Sequence, residues 1–218
     1  MGVSHAFASV RSAQGLFRRH VGTLLSMSTA STDAHDRLPP IPPDEMSEAQ
    51  RRAADALIRG RRGALFGPFV PLLRSPELLD RAQRLGEFLR YDSALEPRLR
   101  ELAILVTARH FRQAYEWHVH APEAERSGLA PTAIVALAAG GRPWDLKADE
   151  AVVYEFCSEA HREHRVSDAT YAAALQLLGE QGLVDLCGVC GYYALLALVM
   201  NVARTALPPG ATAPWRDG

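Results

Sequence analysis

The chain has 218 residues, is 48% hydrophobic and 22% charged, and carries a formal net charge of -1. That balance suits one sizeable core in a single domain and gives no bulk electrostatic case for nucleic acid or an acidic membrane surface. Three cysteines in a chain this long do not make a disulfide framework, so the expected compartment is reducing and cytoplasmic.

The first 32 residues contain no acidic side chain, while Arg11, Arg18 and Arg19 are basic and Ser and Thr are frequent. This is the composition of a transit peptide; the competing readings are a poorly ordered tail or upstream sequence before a later start such as Met27. Residues 1–37 are therefore set aside as a tail, with a helical domain over 38–210 and a short C-terminal tail over 211–218.

Leu38-Pro-Pro-Ile-Pro-Pro reads as an extended arm, because proline fixes φ and removes a donor. Ser47 is placed to cap a helix running to Gly60. Gly63–Pro71 reads as a loop. Ser75-Pro76-Glu77 is a helix start, with a cap, a proline at the first helical position and an acid behind it, and that helix should reach about Tyr91. Glu96-Pro97 opens the next, in which Leu99, Leu102, Ala103, Val106 and His110 recur at helical spacing. Tyr115–Ser127 follows, stopped by Gly128, with Pro122 expected to bend it or loosen its first turns. Pro131–Ala139, Lys147–His164, Ser167–Gly179 and Leu183–Ala206 complete the set, the third of these capped by Ser167. No segment shows the period-two alternation of a strand. The expectation is an all-α bundle of about eight helices. The apolar run Leu183–Ala203 comes nearest to a membrane span, but Asp185 and Asn201 interrupt it and favour a buried helix.

The densest cluster of reactive side chains is Tyr115-Glu116-Trp117-His118-Val119-His120. Glu116 and His120 share a helix face, and Gln113 extends that face by a turn. Glu101 lies on the preceding helix and approaches the same face if the two helices pack antiparallel. Such a set can take a proton and return it to carbon or oxygen; the same spacing also suits an ordinary surface pair. His110, Glu116, His118 and His120 are possible metal-ligand types, though His118 and His120 cannot both point inward on a regular helix. His161 and His164 make a second pair. Trp117 and Trp144 are expected to pack the core or line a pocket. No phosphate-binding glycine loop or dinucleotide fingerprint is present.

The segment Leu99–Leu129 resembles the carboxymuconolactone decarboxylase / alkylhydroperoxidase D-like superfamily. Redox members carry a glutamate and, twelve residues later, the start of Cys-x-x-Cys-x-x-x-His. Aligned on His120, those cysteine positions are Gln113 and Glu116, and Glu101 matches the relay glutamate. Ala124-Glu125-Arg126-Ser127-Gly128-Leu129 continues the pattern, and Gly191-Tyr192-Tyr193 and Asn201-Val202-Ala203-Arg204 are similar to the final helix of longer members. With both thiols absent, the resemblance is to the thiol-lacking, decarboxylase-like branch. It implies a cofactor-free lyase that removes a carboxylate from a small lactone or aromatic ring-cleavage product, with no metal, and a homo-oligomer, trimer or hexamer. It implies His120 as proton donor, Glu101 as its orienting or relay group, and Glu116 setting the tautomer or repelling the substrate carboxylate. Arg100 and Arg109 are candidates to hold that carboxylate, with Gln113 and Trp117 as further substrate contacts. Cys187-Gly-Val-Cys190 offers a rival thiol antioxidant site, but its apolar surroundings favour two packed core cysteines; Cys157 is also expected in the core. A non-catalytic binding role is the third reading.

Overall fold

The protein is described by a computed structural model over residues 36–215. The transit-like stretch lies outside the described residues. Eight α-helices and one π-helical turn make up the described fold, with no strand among the described residues.

Helix α1, Glu48–Arg59, begins at a reciprocal cap: the Ser47 hydroxyl accepts from the Gln50 N–H, and the Gln50 side chain accepts from the Ser47 N–H at 2.8 Å. The block read as a loop contains a short helix, α2, Phe69–Leu72. Its prolines sit where helical N–H groups have no partner, so they permit a turn, and burial of Phe69, Leu72 and Leu73 stabilises it. Helix α3, Pro76–Glu87, starts at Pro76 as the sequence indicates, although the Ser75 side chain makes no capping bond. Instead of continuing to Tyr91 as an α-helix, the chain widens into a π turn over Phe88–Asp92.

Helix α4, Pro97–His110, is buried continuously from Glu101 to Ala108. A helix covered on every side is the centre of the fold, and α5 (Ala114–Arg126), α7 (Ala148–Glu163) and α8 (Asp168–Ala203) all pack on it. Helix α5 runs through Pro122 to Arg126. Helix α6, Pro131–Ala138, packs against α4 and α5. Arg98, in the first turn of α4, holds the start of α7 by pairing with Asp149 at 2.7 Å and with Glu150.

The last two expected helices follow one another within α8 and are divided by a kink where the sequence ends the first of them: Gly179, at φ +68° and ψ 178°, is non-helical, and a second helical segment starts after it. The helix ends at Ala203, short of Ala206, with Arg204 left-handed. By length and composition α8 is long and apolar enough to cross a membrane, and half of its most apolar stretch is buried within this fold. Asp185 accepts from the Ala94 N–H at 2.8 Å, which fastens α8 to the segment before α4. Val184, Leu198 and Val202 stay exposed and give α8 an apolar outer face. Both ends of the domain are docked: the Arg37 N–H donates to the Ala203 carbonyl at 2.7 Å, and Trp215 packs edge-on to Trp117.

Gly86 in α3 faces the Tyr192 hydroxyl and the Arg62 guanidinium so closely that a Cβ there would overlap both. Gly191, on the exposed side of α8, has open space around it. Gly86→Ala is expected to destabilise the protein by about 1–3 kcal/mol, and Gly191→Ala to stabilise it by up to about 1 kcal/mol. Urea unfolding measures both; equal shifts would contradict this packing.

Candidate functional site

Antiparallel packing of α4 and α5 across the turn at residues 111–113 brings Glu101 and His120 into direct contact. Glu101 Oε2 and His120 Nδ1 are 2.7 Å apart, and both side chains are buried. Burial alone would raise the Glu101 pKa. The charge and hydrogen bond of His120, with Arg90 and Arg100, outweigh it and hold Glu101 below its ordinary value. An ionised Glu101 accepts, so Nδ1 carries the proton and Nε2 is the ring position left for other work.

Glu116 lies one turn before His120 on α5 and is 3% exposed. Neither of its carboxylate oxygens has a hydrogen-bond partner. Nothing compensates its desolvation, so burial pushes its pKa well above the usual carboxylate range. Two carboxyl groups in one helix pair are thus shifted in opposite directions, the paired Glu101 down and the unpartnered Glu116 up.

Four further side chains, not singled out for chemistry in the sequence, complete this neighbourhood. The Tyr193 ring stands edge-on to His120 at 5.0 Å between centroids, and Tyr192 stands edge-on to Tyr193 at 5.3 Å. The Tyr192 hydroxyl accepts from Arg62 at 3.1 Å. Burial, offset in part by Arg62 and reinforced by Glu116, moves the Tyr192 phenol up to about 12. Arg90 comes from the π turn. Burial would lower its pKa, but Tyr193, Tyr91, Glu101 and Glu123 together raise it, so it remains a buried cation. The repeated tyrosines at 192–193 were visible as a motif; Arg62 and Arg90 carried no local signal.

Among the other expected site residues, Arg100 stays close, with Nε 3.9 Å from Glu101 Oε1, and that Nε is buried without a hydrogen-bond partner. The rest have partners of a structural kind. The Gln113 side chain caps α5 by accepting from the Tyr115 N–H at 2.7 Å, and its amide donates to Asn201 at 2.8 Å. Arg109 donates to the Ala138 carbonyl at 3.1 Å and covers the Trp215 ring. Trp117 is buried against Trp215. Trp144 is exposed and lines a shallow depression with Pro131 and Val135, so it is not a core residue. His110 and His118 are exposed, and among the described residues no three metal-ligand side chains converge.

The cysteines depart from expectation in one respect. Cys157 and Cys190 are buried, but Cys187 is exposed, because it falls on the outer face of α8. Cys190 hydrogen-bonds across to Cys157 on α7, with the sulfurs 3.5 Å apart.

No curated protein matches the chain at a significant level. The sequence model of the carboxymuconolactone decarboxylase family matches residues 76–153, a span running from the start of α3 into α7 and including Glu101, Glu116 and His120. Over that span, about a third of the chain, the sequence is similar to the carboxymuconolactone decarboxylase family.

Proposed function

We propose that this protein is a cofactor-free carbon–carbon lyase, or a related proton-transfer enzyme, acting on a small carboxylated lactone or aromatic ring-cleavage product. The supporting observation is the buried contact of Glu101 with His120, with a second buried carboxyl, the unpartnered Glu116, one turn before His120 on the same helix. Decarboxylation breaks the bond to the leaving carboxylate, and the electron pair passes into the conjugated lactone carbonyl. The resulting dienolate must then be protonated at carbon. Glu116, whose burial favours the protonated carboxyl, is the donor in this reading. Glu101 fixes the His120 tautomer, and Nε2 faces the developing enolate oxygen or passes a proton back to Glu116. Arg100, with its buried unpartnered Nε, holds a second substrate carboxylate.

The homo-oligomer reading is supported by the apolar outer face of α8. Sedimentation of Val184→Glu is expected to show a smaller species than wild type; a monomeric wild type would contradict it.

Carboxymuconolactone-type acids assayed against wild type, His120→Ala and Glu116→Gln test the chemistry. Each substitution is expected to lower kcat by about 10²–10⁴ with the helical fold retained. A wild-type rate in His120→Ala would overturn the reading, and binding without turnover by wild type would favour a non-catalytic role.

The state of Glu116 also has a stability signature. Its folded-state pKa lies above its unfolded value of 4.5, so the acid form favours the fold and stability falls as pH rises. Glu116→Gln removes that dependence. Its advantage over wild type should grow from pH 4.5 by about 1.4 kcal/mol per pH unit until the folded-state value is reached. Urea unfolding between pH 4 and 7 measures this, and a difference independent of pH would contradict a neutral Glu116.

A further inference from the structure

A second cluster of reactive side chains lies on α4, α7 and α8, away from the Glu101–His120 contact. Cys157 and Cys190, on α7 and α8, are both free and buried, with sulfurs 3.5 Å apart. That is sulfur–sulfur contact distance, from which a small approach closes a disulfide. His161 follows Cys157 by one turn of α7. Its Nε2 is 2.8 Å from the Thr107 hydroxyl, which also donates to the Ala103 carbonyl at 2.8 Å. Its ring stacks on His110 at 5.0 Å between centroids. His161 is half-buried and His110 exposed, so a line of polar groups leads from solvent to the thiols.

We propose that Cys157 and Cys190 form a second reactive site, a dithiol oxidised by hydroperoxides, in which Cys190 attacks, Cys157 closes the disulfide and His161 handles the proton. The electrostatics of the pair favour this division. The hydrogen bond with Cys157, together with His161 and Thr107, pulls the Cys190 thiol down against the effect of burial, whereas Cys157 is pushed up. The lower thiol is the better thiolate source. In the first step the Cys190 thiolate attacks the outer peroxide oxygen. The O–O bond breaks, the alkoxide or hydroxide leaves with a proton from His161, and Cys190 becomes a sulfenic acid. Cys157 then attacks the Cys190 sulfur, the S–S bond forms, and water leaves with the Cys157 proton. Overall two thiols and one hydroperoxide give one disulfide, one alcohol or water, and one water. This site uses neither Glu101, Glu116 nor His120, so it stands apart from the proposed lyase chemistry.

The test uses the full chain carrying Cys187→Ser, which removes the exposed thiol, reduced with dithiothreitol, desalted and exposed to hydrogen peroxide. Both remaining thiols are expected to disappear together, with peptide mapping locating a Cys157–Cys190 disulfide. Adding Cys157→Ser should stop the reaction at a sulfenic acid on Cys190 that dimedone captures. His161→Gln should slow thiol loss by about tenfold or more. The proposal is overturned if both thiols of the natively folded protein survive peroxide, as shown by alkylation after peroxide is removed and the chain unfolded, or if they are lost only when peroxide is added to the chain unfolded in urea.

Discussion

A carboxylate and an imidazole held 2.7 Å apart inside a protein cannot be separated without stranding a buried charge, and the fold of this chain is organised around keeping Glu101 and His120 together. Removing one member of such a pair typically costs about 3–5 kcal/mol, because the survivor keeps its desolvation penalty and loses its partner. The constraint explains why α4 is covered on all sides. A polar residue on a fully buried helix needs a partner from the next helix, and the short 111–113 turn sets α5 close and antiparallel. It also explains the basic and aromatic groups gathered there: Arg90, Arg100 and Tyr193 supply the charge and bulk that keep Glu101 ionised and water away.

Glu116 shows the other side of the same physics. It sits a turn from His120, yet makes no hydrogen bond. The only inexpensive state for an unpartnered buried carboxyl is the neutral one. The low-polarity interior therefore shifts two chemically similar groups in opposite directions. The sequence reading has Glu101 orient the imidazole or relay its proton and Glu116 set its tautomer or repel the substrate carboxylate; the carboxylate in contact with the ring is Glu101.

The pairing of Glu101 with His120 was legible in the sequence because both residues lie on adjacent helices joined by a short turn. Helix starts at Ser47, Pro76, Pro97 and Pro131 were legible because caps and N-terminal prolines act within a few residues. What escaped was either register or distance. The π turn at Phe88–Asp92 rotates Arg90 away from the position an α-helix would give it, and no local pattern marks such a widening. Arg62 and Tyr192 meet across 130 residues, and Cys190 finds Cys157 rather than its sequence neighbour Cys187. Cys187 was placed in the core because its surroundings are apolar, but α8 carries apolar residues on its outer face as well. The helix pair that holds Glu101 and His120 was therefore legible in the sequence, while the opposite environments of Glu101 and Glu116 emerge only from the contacts.

The most direct measurement is a carboxyl titration by carbon-13 NMR of protein labelled at glutamate side chains, assigned with Glu101→Gln and Glu116→Gln. The account predicts that at pH 7 the Glu101 resonance is that of an ionised carboxylate and the Glu116 resonance that of a protonated acid. A Glu116 carboxyl that is ionised at pH 7 and titrates like an exposed glutamate would contradict it.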